Sequence, residues 1–263
     1  MVFKAATMRM TAKSPPSPDY PGMPVALPGR LPEGIRIYAV GDVHGRNDLL
    51  QALLERVRAH VAANPITRPH VIFVGDYVDR GPSSRQVVDT LLHLQSDYQD
   101  TIFLQGNHER YVLDFIDNPA SLPDWLRLGG LETLRSYGLP PHNFLDPRTQ
   151  ELLAMSLSLA MHQNGHLDFL RNLPSSFICG DFFFVHAGVR PGVPLDQQNH
   201  RDLLEIRKEF LDCTSNFGKM VVHGHTPVSE VEIRSNRINI DTGAYATGRL
   251  TCVAIERDRL QII

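Results

Sequence analysis

The sequence predicts an α/β fold with its chemistry at the carboxyl ends of the strands. Three observations lead there. The runs IRIYAV (35–40), HVIFV (70–74) and TIFLQ (101–105) are short, apolar and β-prone, and each breaks off into a loop loaded with Asp, Asn, His and Gly. Helical spacing of apolar residues follows these loops, and strand, loaded loop and helix in repetition is the pattern of an α/β sheet. Beyond Pro174, strands succeed one another with little helix between them, which predicts a second sheet packed face to face with the first.

In chain order, residues 1–32 carry Pro15, Pro16, Pro18, Pro21, Pro24, Pro28 and Pro32 with few periodic apolar positions. That composition favours extended or polyproline backbone. The segment reads as a flexible or surface-draped arm, with a docking segment or a lid as the functional alternative, and 33–263 reads as a single catalytic domain. IRIYAV runs into Gly41-Asp42-Val43-His44-Gly45, where alternation puts Asp42 and His44 on one side, able to share a cation. Asn47 or Asp48 can cap a helix over about 48–63, through Leu50, Leu53, Leu54 and Val57. HVIFV, continuous as expected of a strand buried on both faces, delivers Asp76, Asp79 and Arg80. Pro82 and Ser83 start a helix over about 83–96, and a strand led in by Tyr98 ends at Gly106-Asn107-His108-Glu109.

Residues 109–175 form a helical insertion, with Trp125, a Gly129-Gly130 pair and leucine-rich patterns near 131–137, 149–161 and 166–172. His162 and His166 within it read as surface or core histidines. SFICG and DFFFV are strands, the second ending at His186-Ala187-Gly188-Val189-Arg190. Residues 200–211 make a helical turn or two, KMVV ends at His223-Gly224-His225-Thr226-Pro227, and VEIRSNRINID is a hairpin turning at Ser235-Asn236. LTCVAIERDRLQII closes with two strands.

Composition narrows the function classes. The 263 residues, 42% hydrophobic and 21% charged, can bury a sizeable core. A balance of 26 Lys+Arg against 29 Asp+Glu, without long blocks of one sign, speaks against a nucleic-acid or anionic-membrane surface. No apolar run approaches the ~18 residues of a membrane span, and the N-terminus lacks the apolar stretch of a secretory signal. Cys179, Cys213 and Cys252, odd in number and without CxxC spacing, read as buried reduced thiols. A cytoplasmic protein is expected. The twelve histidines are the unusual count.

Five strand ends carry Asp42 and His44; Asp76, Asp79 and Arg80; Asn107 and His108; His186; and His223 with His225. Carboxylate, imidazole and amide oxygen without thiolate suit Mn, Fe, Zn or related divalent ions. There are too many ligands for one ion, and two ions sharing a carboxylate would use them.

GDVHG (41–45), GDYVDRG (75–81) and GNHE (106–109), with the histidines of HAG and GHT, resemble the phosphoprotein phosphatase branch of the metallophosphoesterases. The nearest resemblance is to bacterial and phage serine/threonine protein phosphatases, over about 35–256. It implies a metallophosphoesterase-type β-sandwich of two mixed sheets flanked by helices, four layers α/β/β/α. It also implies two divalent metal ions, manganese first, with iron, zinc or nickel as alternatives. Asp42, His44 and Asp76 would hold one ion, and Asp76, Asn107, His186 and His225 the other, with His223 outside the set. A hydroxide bridging the ions would attack the phosphate directly, Arg80 would bind its oxygens, and Asp79 would orient His108 as the acid for the leaving group. LLEIRKEF resembles the family's L-x-I-R pattern and points to Arg207 as the second phosphate-binding arginine, although Glu205 stands where an aromatic is commoner. Arg190 is the competitor. DTGAY (241–245) resembles the ending of bacterial members, and Tyr245 reads equally as a residue at the substrate mouth or as part of a turn. The S-A-P-N-Y loop of the eukaryotic enzymes is absent, so no regulatory subunit is inferred.

The expected function is a metal-dependent phosphomonoesterase acting on phosphoserine or phosphothreonine in proteins, with phosphotyrosine as a further substrate. The alternatives are hydrolysis of dinucleoside tetraphosphates or other small phosphate compounds at the same site, and a non-catalytic metal-binding scaffold.

Overall fold

The computed structural model describes residues 24–97, 100–140 and 142–263. The chain enters through β1 (Val25–Ala26) and continues through β2 (Ile35–Val40), α1 (Asn47–Ala63), β3 (Arg68–Phe73), α2 (Ser84–Asp97) and β4 (Thr101–Phe103). Helices α3 (Asn107–Asp117), α4 (Leu122–Leu128), α5 (Gly130–Ser136), α6 (Pro147–Gln163) and α7 (His166–Arg171) make the insertion. Strands β5 (Ser176–Cys179) and β6 (Phe182–Val185), helices α8 (His200–Glu205) and α9 (Lys208–Leu211), and strands β7 (Met220–His223), β8 (Glu232–Ile233) and β9 (Arg237–Asn239) follow. After α10 (Ala244–Thr247) the chain returns to the first sheet as β10 (Cys252–Glu256) and β11 (Arg259–Ile262).

Both sheets are mixed. The first has the order β1-β11-β10-β2-β3-β4, parallel where α1 and α2 cross over between β2, β3 and β4. The second runs β5-β6-β7-β9-β8, parallel at β6-β7 and β7-β9. Alternation along each strand assigns the faces. Ile37, Ala39, Ile72 and Val74 meet Phe184, Val222 and Ile240 in a core between the sheets. Their neighbours Tyr38, Val40 and Phe73 pack on α1, α2 and the insertion, while Phe183, Val185 and Val221 pack on Leu203, Ile206 and Phe210. The outcome is the expected four-layer α/β/β/α sandwich. No described helix is long and apolar enough to cross a membrane.

Two local expectations are corrected. Helix α1 starts behind Arg46 with no side-chain cap; Asn47 instead accepts the Thr90 hydroxyl at 2.9 Å, tying α1 to α2. Cys252 is buried as expected, whereas Cys179 and Cys213 are only half-buried, and all three are free thiols.

Residues 1–23, most of the expected arm, lie outside the described residues, as do Tyr98 and Gln99. Residues 24–32 run along the sheet edge with Leu27, Gly29 and Leu31 turned inward and the others exposed. Val25 and Ala26 pair with Leu260 and Arg259, Leu27 and Leu31 enter the inter-sheet core, and the Arg30 N–H donates to Asp181 Oδ2 at 3.0 Å. No proline lies within β1: Pro24, Pro28 and Pro32 fall on either side of it, so no ladder bond depends on their missing N–H. Replacing Leu31, 1% exposed, with alanine is expected to cost ~2–5 kcal/mol of stability. The check is the urea midpoint, and an unchanged midpoint would return Leu31 to the arm.

Candidate metal centre

The ends of β2, β3 and β4 on one sheet and of β6, β7 and β9 on the other meet at one place, and the backbone there is unusual. Left-handed φ values occur at His44 (46°), Asp76 (53°), Asp79 (70°), Arg80 (66°) and His225 (65°). Such conformations cost roughly 1–3 kcal/mol each and persist only where the surroundings impose them.

Much of that imposition comes from Glu109, fully buried on α3. Its Oε2 accepts the N–H groups of Asp76 and Gly106, both at 2.9 Å, and its Oε1 accepts those of Tyr77 at 2.7 Å and Val78 at 3.3 Å. The only local sign of this role is the position of Glu109 three residues after Gly106, where a helix-capping glutamate reaches back. Gly106 is required by contact, since a Cβ there would strike Asp76. Glu109→Gln turns one acceptor oxygen into an NH₂ facing backbone donors. The expected loss is about 1–3 kcal/mol, visible as a lower Tm; an unchanged Tm would deny Glu109 its locking role.

Asp76 is the centre of the donor set. Its Oδ1 lies 3.4 Å from His186 Nε2, and its Oδ2 lies 3.5 Å from His44 Nε2 and 3.9 Å from His108 Nε2. Asn107 Oδ1 is 2.8 Å from His186 Nε2 and 2.9 Å from His225 Nδ1. Two buried clusters result, His44–Asp76–His108 and Asp76–His186–His225, and Asp76 is in both. Asp42 stands outside both clusters and accepts the His225 N–H at 3.1 Å. Gly224 makes that approach possible, because a Cβ there would touch the Asp42 carboxylate.

The electrostatics separate the residues further. Burial pushes Asp42 well above the usual carboxylate range, with Asp241 and Asp76 adding to it. Burial acts in the same direction on Asp76, but the charges of His186 and His108 outweigh it and hold Asp76 well below that range. Burial pulls His44 down to about 3 and His225 down to about 2. His108 differs: burial lowers it, yet the Asp76 charge and the hydrogen bond to Asp79 bring it above the ordinary histidine value.

These residues fit divalent cations. His44 and His186 give Nδ1–H to the carbonyls of Val78 (2.9 Å) and Val74 (3.0 Å), which turns each Nε2 inward. His186 Nε2, His225 Nδ1 and Asn107 Oδ1, all able to accept, lie within 3.1 Å of one another, and His225 Nε2 has no partner. A cation satisfies several such lone pairs at once.

The other expected residues are placed as follows. His108 Nδ1 donates to Asp79 Oδ2 at 2.7 Å. Arg80 reaches His44 Nε2 and His108 Nε2, both at 3.1 Å, beneath the Tyr245 ring at 4.7 Å. Tyr245, 39% exposed, sits edge-on to His44 and so at the rim of the site. Arg207 donates to Thr226 Oγ1 at 3.1 Å, next to His225. Arg190 does not join them: both arms of its fork go to Asp202 at 2.6 Å. His223 is buried against Phe210 and outside both clusters. His162 is exposed, and His166 is a core residue bonded to Tyr137 and Asp89.

Residues 35–255 match the calcineurin-like phosphoesterase family. The bis(5'-nucleosyl)-tetraphosphatase PrpE (asymmetrical) of Bacillus thuringiensis (strain Al Hakam) is 24% identical over 235 residues, covering 81% of this chain and 88% of its own. The enzyme of the same description from Anoxybacillus flavithermus is 25% identical over 234 residues, with the same coverage. Among solved structures, the cold-active protein-tyrosine phosphatase of a psychrophilic Shewanella species superposes with a TM-score of 0.53 at 19% identity, over 88% of this chain and 80% of its own. That superposition speaks for the fold alone.

Proposed function

This chain belongs to the calcineurin-like phosphoesterase family, and on that premise we propose that it hydrolyses phosphate monoesters of alcohols, with phosphoserine and phosphothreonine in proteins as the substrate class. One observation carries the reading: His108 donates Nδ1–H to buried Asp79 while its Nε2 faces the donor clusters. A departing alkoxide is strongly basic and needs a proton, worth ~10²–10⁴ in rate. A nucleotide phosphate leaving from an anhydride, with a second pKa of about 6, needs little such help.

Asp42, His44 and Asp76 would hold one divalent ion, manganese being the first assignment, and Asp76, Asn107, His186 and His225 would hold another. When bound, such ions acidify water and withdraw charge from phosphoryl oxygens. Arg80 and Arg207 grip the phosphate oxygens, and the Tyr245 ring steadies the Arg80 guanidinium. His108 Nε2 belongs geometrically to the cluster of His44 and Asp76. We assign it to proton transfer because its Nδ1 is held by a carboxylate, whereas His44 and His186 are held by carbonyls. His108 gives its Nε2 proton to the leaving oxygen, and Asp79 keeps the Nδ1–H in place.

The second reading, hydrolysis of dinucleoside tetraphosphates, is favoured by the names of the curated relatives. A phosphoserine peptide, a mononucleotide and a dinucleoside tetraphosphate, assayed on one preparation of measured metal content, separate the two. The phosphopeptide is expected to give the highest kcat/KM. Faster cleavage of the tetraphosphate, with the peptide nearly inert, would favour the second reading.

A further inference from the structure

Asp79 is fully buried, and it holds more than His108. Its Oδ2 accepts the His108 Nδ1–H at 2.7 Å and the Trp125 Nε1–H at 2.8 Å, while its Oδ1 accepts the Thr133 hydroxyl at 2.6 Å. An indole nitrogen only donates, so the direction of the Trp125 bond is unambiguous. The Thr133 oxygen also accepts the backbone N–H of Asp79 at 2.9 Å, so one side chain grips the residue at both ends.

Both partners come from the insertion, Trp125 from α4 and Thr133 from α5. The same short helices fix the next residue, since the Arg80 N–H donates to the Gly129 carbonyl at 3.1 Å. Asp79 and Arg80 are consecutive left-handed residues, and neither conformation is self-supporting. The indole is itself fixed: it packs on Phe115 of α3, the helix that carries His108, and a Cβ on Gly130 would collide with it.

We propose that Trp125 and Thr133 are positioning residues that act through Asp79 to hold His108 in the orientation from which it protonates the leaving oxygen. This rests on the reading of His108 as the acid. Without either donor the carboxylate can rotate, and the imidazole loses its fixed partner. Misplacing a reacting group by about 1 Å costs ~10²-fold. Hydrolysis of esters with poor leaving groups then depends on α4 and α5, and hydrolysis of activated esters does not.

The test uses Thr133→Val, Trp125→Phe and the double variant, with kcat and KM for a phosphoserine peptide, phenyl phosphate and p-nitrophenyl phosphate at equal metal content. Each single change is expected to lower kcat for the peptide by about 10–100-fold, the effect of losing one hydrogen bond to a charged group. Phenyl phosphate should fall in between, p-nitrophenyl phosphate should be nearly unaffected, and KM should stay level throughout. Thr133→Ser, which keeps the hydroxyl, should restore peptide turnover. A purely structural role would lower all three substrates together, and that result, or no loss on any, would overturn the proposal. His108→Ala run in parallel separates the two claims. If it lacks leaving-group selectivity, the acid reading falls and this proposal with it; if it is selective while the Trp125 and Thr133 variants are not, only this proposal falls.

Discussion

Alanine in place of His108 is expected to cut turnover of a phosphoserine peptide by ~10²–10⁴, and turnover of p-nitrophenyl phosphate far less. The asymmetry follows from the leaving groups. A serine alkoxide must take up a proton as the P–O bond breaks, and His108 Nε2 is the nitrogen in position to give it, with its other face held by Asp79 at 2.7 Å. Nitrophenolate departs as a stable anion. Because Arg80 also contacts His108 Nε2, at 3.1 Å, some change in KM is expected on both substrates, so kcat is the quantity to compare. Equal losses in kcat would remove His108 from proton transfer and leave it a metal ligand beside His44 and Asp76.

Asp76→Asn is expected to be the most damaging change in the site. The substitution keeps the shape but removes the one charge common to both donor clusters. The carboxylate also receives the His108 backbone N–H at 3.1 Å, so it anchors the first turn of α3 as well. Metal content should fall from the wild-type value toward zero. Since the electrostatic help of bound ions is worth several kcal/mol, kcat/KM should drop by ~10³ or more. Elemental analysis of the purified variant decides the matter: wild-type metal content would refute the proposal that two ions share Asp76.

The fold and the convergence of the loaded loops were legible in the sequence for one shared reason. Asp42, Asp76, Asn107, His186 and His225 each follow an apolar run that reads as a buried strand, and residue types that bind cations recur at those ends. What the sequence did not show depends on contacts between distant residues. Trp125 and Thr133 reach Asp79 from 46 and 54 positions away, across helices whose packing no local pattern reveals. Arg190 competes with Arg207 in the sequence, and its pairing with Asp202 on helix α8 is a contact that no local pattern reveals. Leu27 and Leu31 were hidden among prolines, since two apolar residues four apart match neither strand nor helix strongly enough to predict a place in the core.

The two sheets contribute unequal halves of the same site. Asp42, Asp76 and Asn107 are carried by one layer, and His186 and His225 by the other, yet Asp76 approaches His186 at 3.4 Å and Asn107 approaches His225 at 2.9 Å. The gap those pairs span is fixed by what fills the space beneath them, among it Val74, Val222 and Ile240. Protein interiors are packed too tightly for a methyl group to be added or removed without some shift of the layers. The apolar interior thus works as a caliper, and its side-chain volumes set the bite of a site they never touch. A conservative change such as Val222→Ile is expected, on this view, to alter the spacing of the two donor clusters.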